Sequence, residues 1–286
     1  MDMDTANRPS APPAPRDMSP EKADCTVVVA GCDKYADLLA PFSALWRKFW
    51  PDCPYRVVLV TETAPEETDL CFDEVLAMGG GRSWGWRLSR ALARIDTPRV
   101  ILLCDDYFLS APVDTARIAD RVRQSLDLDA LNLRLIPNPA TAVPRPDDPT
   151  LGTYRKNTAY CIATQAGIWD RAFLADLAGR TESIWEFERK GSYSFEEDGG
   201  RPILCTLAKE FPFVDAVHKG YWESFGLRLC RENGIPVDLV RRGRPPLRVA
   251  FREWAKGVVF RTCPGLIVRV QNRLNLGCKE QKTSDS

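Results

Sequence analysis

The chain has a single histidine, no C-x-x-C pair and no tight Cys/His cluster, although ten cysteines are scattered singly along its 286 residues. That scatter argues against a zinc site built on paired thiolates and against the disulfide framework of a small secreted domain. Reduced thiols in a cytoplasmic protein are expected. No apolar run approaches the roughly 18 residues that would read as a membrane span. The opening stretch MDMDTANRPSAPPAPRDMSP has acids and prolines where a signal peptide needs a basic start and an apolar run. Net charge is missing too. Thirty-nine basic and 39 acidic side chains cancel, so the overall balance favours neither nucleic acid nor another polyanion as partner.

Hydrophobic residues make up 44% of the chain, enough for a substantial core. Residues 1–22 are rich in Pro, Ala and Asp and have no apolar periodicity, so a flexible tail is expected there. From Cys25 the pattern changes. CTVVVAGC reads as a buried strand, followed by a helix with Leu38, Leu39, Phe42, Leu45, Trp46 and Phe49 at helical spacing, stopped by Pro51. YRVVLVTE and DEVLAMGGG read as further strands, and Ser83 caps a helix in SWGWRLSRALARIDTP. RVILLCDDYFL is apolar on consecutive positions and is expected to be a strand covered on both faces. Asp114 then caps a helix through Ile118 and Val122, and ALNLRLIP, AYCIAT and FVDAVH read as later strands. Between them lie a proline-rich loop from Pro137 to Leu151 and a helix DRAFLADLAG. Strand-helix alternation of this kind predicts an α/β fold, a mostly parallel sheet sandwiched by helices.

In such a sheet, ligands gather at the carboxyl ends of the strands. Asp105 and Asp106 stand at one of these ends, directly after a buried run. Adjacent carboxylates there repel one another and lose hydration unless a cation, an arginine or backbone N–H groups compensate them. A divalent ion carrying a diphosphate is one such compensation, because Mg2+ and Mn2+ take one or two carboxylates plus phosphate oxygens. The alternative has one Asp capping a turn and the other facing water.

The order of these segments, from the first strand with Cys-Asp-Lys-Tyr through VTE, the Gly-rich turn and SWGWRLSRAL to VILLCDDYFL, resembles the nucleotide-binding half of GT-A-type glycosyltransferases. The resemblance spans Cys25 to Leu109 and runs more loosely to Gly234. It implies a single GT-A-like catalytic domain over residues 23–240 that transfers a sugar from a nucleotide diphosphate donor, such as a UDP-sugar, to a saccharide or lipid-linked acceptor hydroxyl. It also implies Mn2+ or Mg2+ as cofactor. By the same resemblance Cys32 and Asp33 lie by the base or ribose, Arg87 and Lys219 near the diphosphate, Asp105 at the ribose or donor sugar, and Asp106 on the metal with His218. The acid motif here is Cys104-Asp105-Asp106, without the first acid of a D-x-D.

Inverting sugar transfer needs a carboxylate base, and ESIWEFERKGSYSFEEDGG interleaves acids with aromatics as a sugar site would. Glu186, flanked by Trp185 and Phe187, is the expected base, with Glu188 and Asp198 as alternatives. Equally, Ser183 and Glu186 have the spacing of a helix capping box. Gln165, Trp169 and Trp185 are candidates for the acceptor pocket, with Trp169 open to a plain core role. His218, at the end of a strand, is either structural or a ligand.

Residues 241–286 form a basic extension. Arg248, Arg252 and Lys256 fall at intervals of four with Trp254 between them, so a helix over 241–273 is expected to lie on an anionic inner membrane face or to dock on the domain with a solvated basic side. Nucleic acid is not an expected partner. Two other functions stay open: a nucleotidyltransferase, although AGCDKYAD lacks the glycines of a phosphate loop, and a catalytically silent, membrane-peripheral binding protein of the same fold.

Overall fold

The computed structural model describes residues 24–154, 158, 160–194, 200–246 and 248. The tail 1–22, Asp198 and most of the basic extension lie outside them.

Among the described residues, thirteen strands and six α-helices follow one another along the chain. β1 (Cys25–Ala30) leads through a short 3-10 turn (Asp33–Leu38) into α1 (Leu39–Phe49), then β2 (Arg56–Thr61) and β3 (Glu74–Ala77). α2 (Trp84–Leu92) returns the chain to β4 (Arg99–Cys104), and β5 (Tyr107–Leu109) follows after a two-residue turn. Next come α3 (Thr115–Asp127), β6 (Asn132–Arg134), β7 (Val143–Pro144), β8 (Leu151–Thr153) and β9 (Gly167–Asp170). α4 (Arg171–Gly179) and α5 (Ile184–Ser194) precede β10 (Ile203–Thr206), β11 (Phe213–Asp215), β12 (Val217–His218), β13 (Tyr221–Trp222) and α6 (Ser224–Glu232).

Nine of these strands form one sheet in the order β3-β2-β1-β4-β9-β6-β10-β8-β7. β9 and β8 run against all the others, so the sheet is mixed but mostly codirectional. Alternation within β1 assigns its side chains to two cores. Val27 and Val29 pack with Phe42, Leu45 and Trp46 of α1, and with Ile118 and Val122 of α3. Val28 and Ala30 pack on the other face with Leu88 and Leu92 of α2, Leu174 of α4 and Phe187 of α5. Helices therefore cover both faces of this α/β sheet, and each fully buried Val or Leu contributes about 1.5–3 kcal/mol relative to exposure.

Two helix starts follow the expected caps: Ser83 Oγ accepts from Trp86 N–H, and Asp114 accepts from Arg117 N–H. Two strand expectations need correction. The run ending in DDYFL is not continuous, because Asp105 and Asp106 form a turn between β4 and β5. AYCIAT holds no strand among its described residues. The carbonyls of Tyr160 and Cys161 accept from buried Arg134, and the strand lies just beyond, at β9.

Candidate active site

β2 and β3 lie on one side of β1 and β4 on the other, so the connections diverge between β1 and β4 and leave a crevice outside their carboxyl ends. Gly31 and Cys32 leave β1 at this point; Asp105 and Asp106 leave β4. The crevice encloses about 660 Å³.

Asp105 is buried, and its Oδ2 accepts from Cys32 N–H at 3.2 Å. Gly31 allows that approach, since a Cβ there would stand 3.0 Å from the same oxygen. Burial, followed by the Asp106 charge, pushes the Asp105 carboxyl well above its ordinary value. Asp106 is pushed up to about 7, first by burial and then by Asp215. Asp215 ends β11, directly opposite Tyr107 of β5, and burial raises its carboxyl as well, against the pull of His218 and Lys209. Among the described residues no Lys or Arg lies within ion-pair distance of these three acids. Arg242 pulls Asp105 and Asp106 downward from a distance, yet burial keeps all three acids raised, a setting that favours a bound cation.

The opposite wall comes from α5 and the turn before β9. Glu188 lines the crevice with its Oε1 held by Thr164, through N–H at 3.0 Å and Oγ1 at 3.1 Å. Oε2 has no protein partner among the described residues. Burial raises the Glu188 carboxyl despite the Thr164 bonds. Trp185 stands at the rim, 71% exposed.

A third side carries positive charge. Lys34 and Tyr35 follow β1, while His218 and Lys219 belong to the hairpin of β12 and β13. Lys219 and Gly220 form the whole two-residue turn, with φ of +53° and +84°, the pattern of a type I′ hairpin. Lysine is an unfavourable choice at its first position, where Asn, Asp or Gly is preferred.

Cys32, Asp105, Asp106, Gln165, Trp185, His218 and Lys219 are thus gathered at one crevice. Gln165 brings a buried Oε1 that has no hydrogen-bond partner among the described residues. Four expected site residues lie elsewhere. The Asp33 carboxylate accepts from Thr61 Oγ1, Thr63 N–H and Thr63 Oγ1; burial would raise it, but these bonds outweigh that and hold it below the ordinary range. Arg87 is buried against Glu62 at 2.8 Å and bonded to the Arg82 carbonyl; Glu62 in turn accepts from Asp33 N–H at 2.5 Å. This chain supports the loop after β1 from behind the crevice. Trp169 is fully buried in β9, tilted against Phe187, which is the core role and not an acceptor contact. Glu186 accepts from Glu182 N–H at 2.7 Å, while its own N–H donates to Ser183 Oγ at 3.3 Å. That is a capping arrangement. Two residues along a helix is a rotation of about 200°, so Glu186 and Glu188 point to opposite sides of α5 and only Glu188 lines the crevice.

Sequence reading missed Asp215, Lys34 and Thr164. Asp215 had a signal of the same kind as the β4 acids, a carboxylate set inside the apolar run FPFVDAV.

Among the described residues, no three His, Cys, Asp or Glu side chains are arranged to hold a metal ion by themselves. The hard oxygens of Asp106 and Asp215 nevertheless suit Mg2+ or Mn2+ delivered with a diphosphate, since such ions usually complete their shell with phosphate oxygens and water. No helix among the described residues is long and apolar enough to cross a membrane, and no disulfide joins the eight described cysteines.

No protein-family model matches the chain, and no curated protein matches it. Among solved structures it is similar to S. aureus TarS 1-349, at 13% identity and a TM-score of 0.42, covering 66% of this chain and 59% of that one. The chain therefore spans about three-fifths of that structure. It is also similar to the mannosyltransferase PcManGT from Pyrobaculum calidifontis in complex with GDP-Man and Mn2+, at 15% identity and a TM-score of 0.43, covering 94% and 79%. A cytidylyltransferase from Leptospira borgpetersenii serovar Hardjo-bovis is similar at 12% identity and a TM-score of 0.36, covering 74% and 95%.

Proposed function

We propose that this chain is a nucleotide-sugar-dependent glycosyltransferase that moves a sugar from a UDP-sugar donor to a saccharide or lipid-linked hydroxyl with inversion. One observation carries the reading: three largely buried carboxylates, Asp105, Asp106 and Asp215, converge at the switch-point crevice with no Lys or Arg ion-paired to them among the described residues. A diphosphate with its counter-ion would supply what they lack.

Asp106 and Asp215 would hold a divalent cation, with His218 beside them. When bound, such a cation stabilises negative charge on the departing diphosphate. Lys34 and Lys219 face the same charge as point cations. Asp105, locked to Cys32 N–H, would accept from a donor hydroxyl. Glu188 is better placed than Glu186 to serve as general base, because its buried carboxyl lines the crevice and keeps Oε2 available. The acceptor O–H proton passes to Glu188 Oε2, the acceptor oxygen bonds to the anomeric carbon, and the bond from that carbon to the diphosphate oxygen breaks with its electron pair leaving on the diphosphate. Trp185 offers the acceptor an aromatic face. The basic residues of 241–273 would bring such an enzyme to an anionic inner membrane surface.

The test is release of nucleoside diphosphate from a panel of nucleotide sugars, with and without Mn2+, alongside thermal shifts with uridine diphosphate. Metal-dependent release from one sugar donor is expected. Silence across the panel with no thermal shift would overturn the reading, and pyrophosphate release from a nucleoside triphosphate would replace it with nucleotidyl transfer.

A further inference from the structure

Arg242 belongs by sequence to a basic, solvent-facing stretch, yet it is only 4% exposed. Its guanidinium makes a two-pronged contact with Asp37, Nε to Oδ2 at 3.0 Å and Nη2 to Oδ1 at 2.9 Å. The same group donates to the carbonyl of Lys34 from Nη2 and to that of Gly220 from Nη1, both at 3.1 Å. Its central carbon, Cζ, lies over the Tyr35 ring, 4.3 Å from the ring centre. Every nitrogen is used.

The partners fall in two loops far apart in sequence. Lys34, Tyr35 and Asp37 belong to the turn after β1, and Gly220 to the β12–β13 hairpin. Each loop contributes a lysine to the crevice, Lys34 from one and Lys219 from the other. Among the described residues no backbone ladder joins these loops, β12 and β13 forming a two-stranded sheet of their own. The segment carrying Arg242 is itself anchored: Asp238 accepts from the amides of Val240 and Arg241, and Trp222 N–H donates to the Gly243 carbonyl at 3.0 Å. A buried arginine is strongly unfavourable unless it is paired and fully bonded, and here it bonds one carbonyl from each loop.

We infer that Arg242 is a positioning residue that braces the turn after β1 against the β12–β13 hairpin and so sets the spacing of Lys34 and Lys219 across the crevice. That the spacing serves a diphosphate rests on the proposed function; the brace itself does not. A planar five-donor fork is required, so lysine, a single point charge, does not substitute.

Three forms of the full chain separate the possibilities: wild type, Arg242→Lys, and the double variant Arg242→Met with Asp37→Asn, which leaves no unpaired buried charge. Amide hydrogen exchange is expected to rise about tenfold in both variants at 33–37 and 218–222 together, with β1 and β4 unchanged. Uridine diphosphate affinity in the presence of Mn2+, read by calorimetry, is expected to fall about tenfold in the lysine variant at an unchanged melting temperature. Unchanged exchange in either loop, or a rise confined to 240–244, would overturn the brace. Should wild type bind no nucleoside diphosphate, the transferase reading fails while the exchange data still decide the brace.

Discussion

Asp215 faces Tyr107 across the β5–β11 ladder, and the next residue, Ala216, donates its N–H to the Asp106 carbonyl at 2.8 Å. Two strands thereby deliver carboxylates to one point from opposite directions. Asp215→Asn removes the neighbouring charge that raises Asp106, so Asp106 should titrate closer to its ordinary range. Mn2+ affinity measured with uridine diphosphate present should fall about tenfold or more, as expected for a lost charged ligand. Unaltered affinity would exclude Asp215 from the cation site.

Acid should stabilise the ligand-free protein over part of its range. Asp106 titrates near 7 in the fold, raised from an ordinary 3.8 by burial and then by Asp215. The folded state therefore holds the proton more tightly than the unfolded chain. Its contribution to stability is full below the unfolded value and is lost as pH rises through about 7. Melting temperature without ligand should decline between pH 5 and pH 8, and Asp106→Asn should flatten that decline and abolish donor turnover. A variant that melts with the wild-type pH profile would refute this assignment.

The two acids of α5 should separate by assay. Glu188→Gln keeps an acceptor for Thr164 but cannot take a proton, so sugar transfer should drop about 100-fold or more, the usual scale of a general base, with donor binding retained. Glu186→Gln should leave turnover near wild type and cost about 1 kcal/mol or less through the weakened cap. The reverse pattern in single-turnover rates would return the base to Glu186.

Lys219 occupies a left-handed position that asparagine tolerates better. Lys219→Asn should gain up to about 1 kcal/mol, or about 2–4 °C in melting temperature, while donor affinity falls about tenfold for a lost charge-assisted contact. Stability and affinity moving in the same direction would argue that Lys219 does not face the diphosphate.

The parallel half of the sheet was legible because β1, β2 and β4 are β-branched runs buried on both faces, and the acids after β4 interrupt such a run. β9 and β10 were not. GIWD and ILCT are too short to have a periodicity of their own, and they become strands because β6 offers an edge to each. AYCIAT has strand composition, but Arg134 takes its carbonyls. At α5 the spacing from Ser183 to Glu186 already pointed to a cap, and with Glu186 at the cap the helical turn sends Glu188 the other way. The structural role of Arg87 had no local signal, because its partner Glu62 lies just after β2 and not on the same helix. Arg242 gave no sign at all, since Asp37 and Gly220 lie far from it along the chain.

Gly85 permits α2 to press directly on α4: an added methyl there would collide with the carbonyls of Ala178 and Thr181. Trp84, its neighbour, lines one part of the crevice, and α5 begins three residues beyond Thr181. The tryptophan and the acid-bearing helix are therefore mounted on a single stiff block. Bulk introduced at position 85 would displace both mounted groups at once.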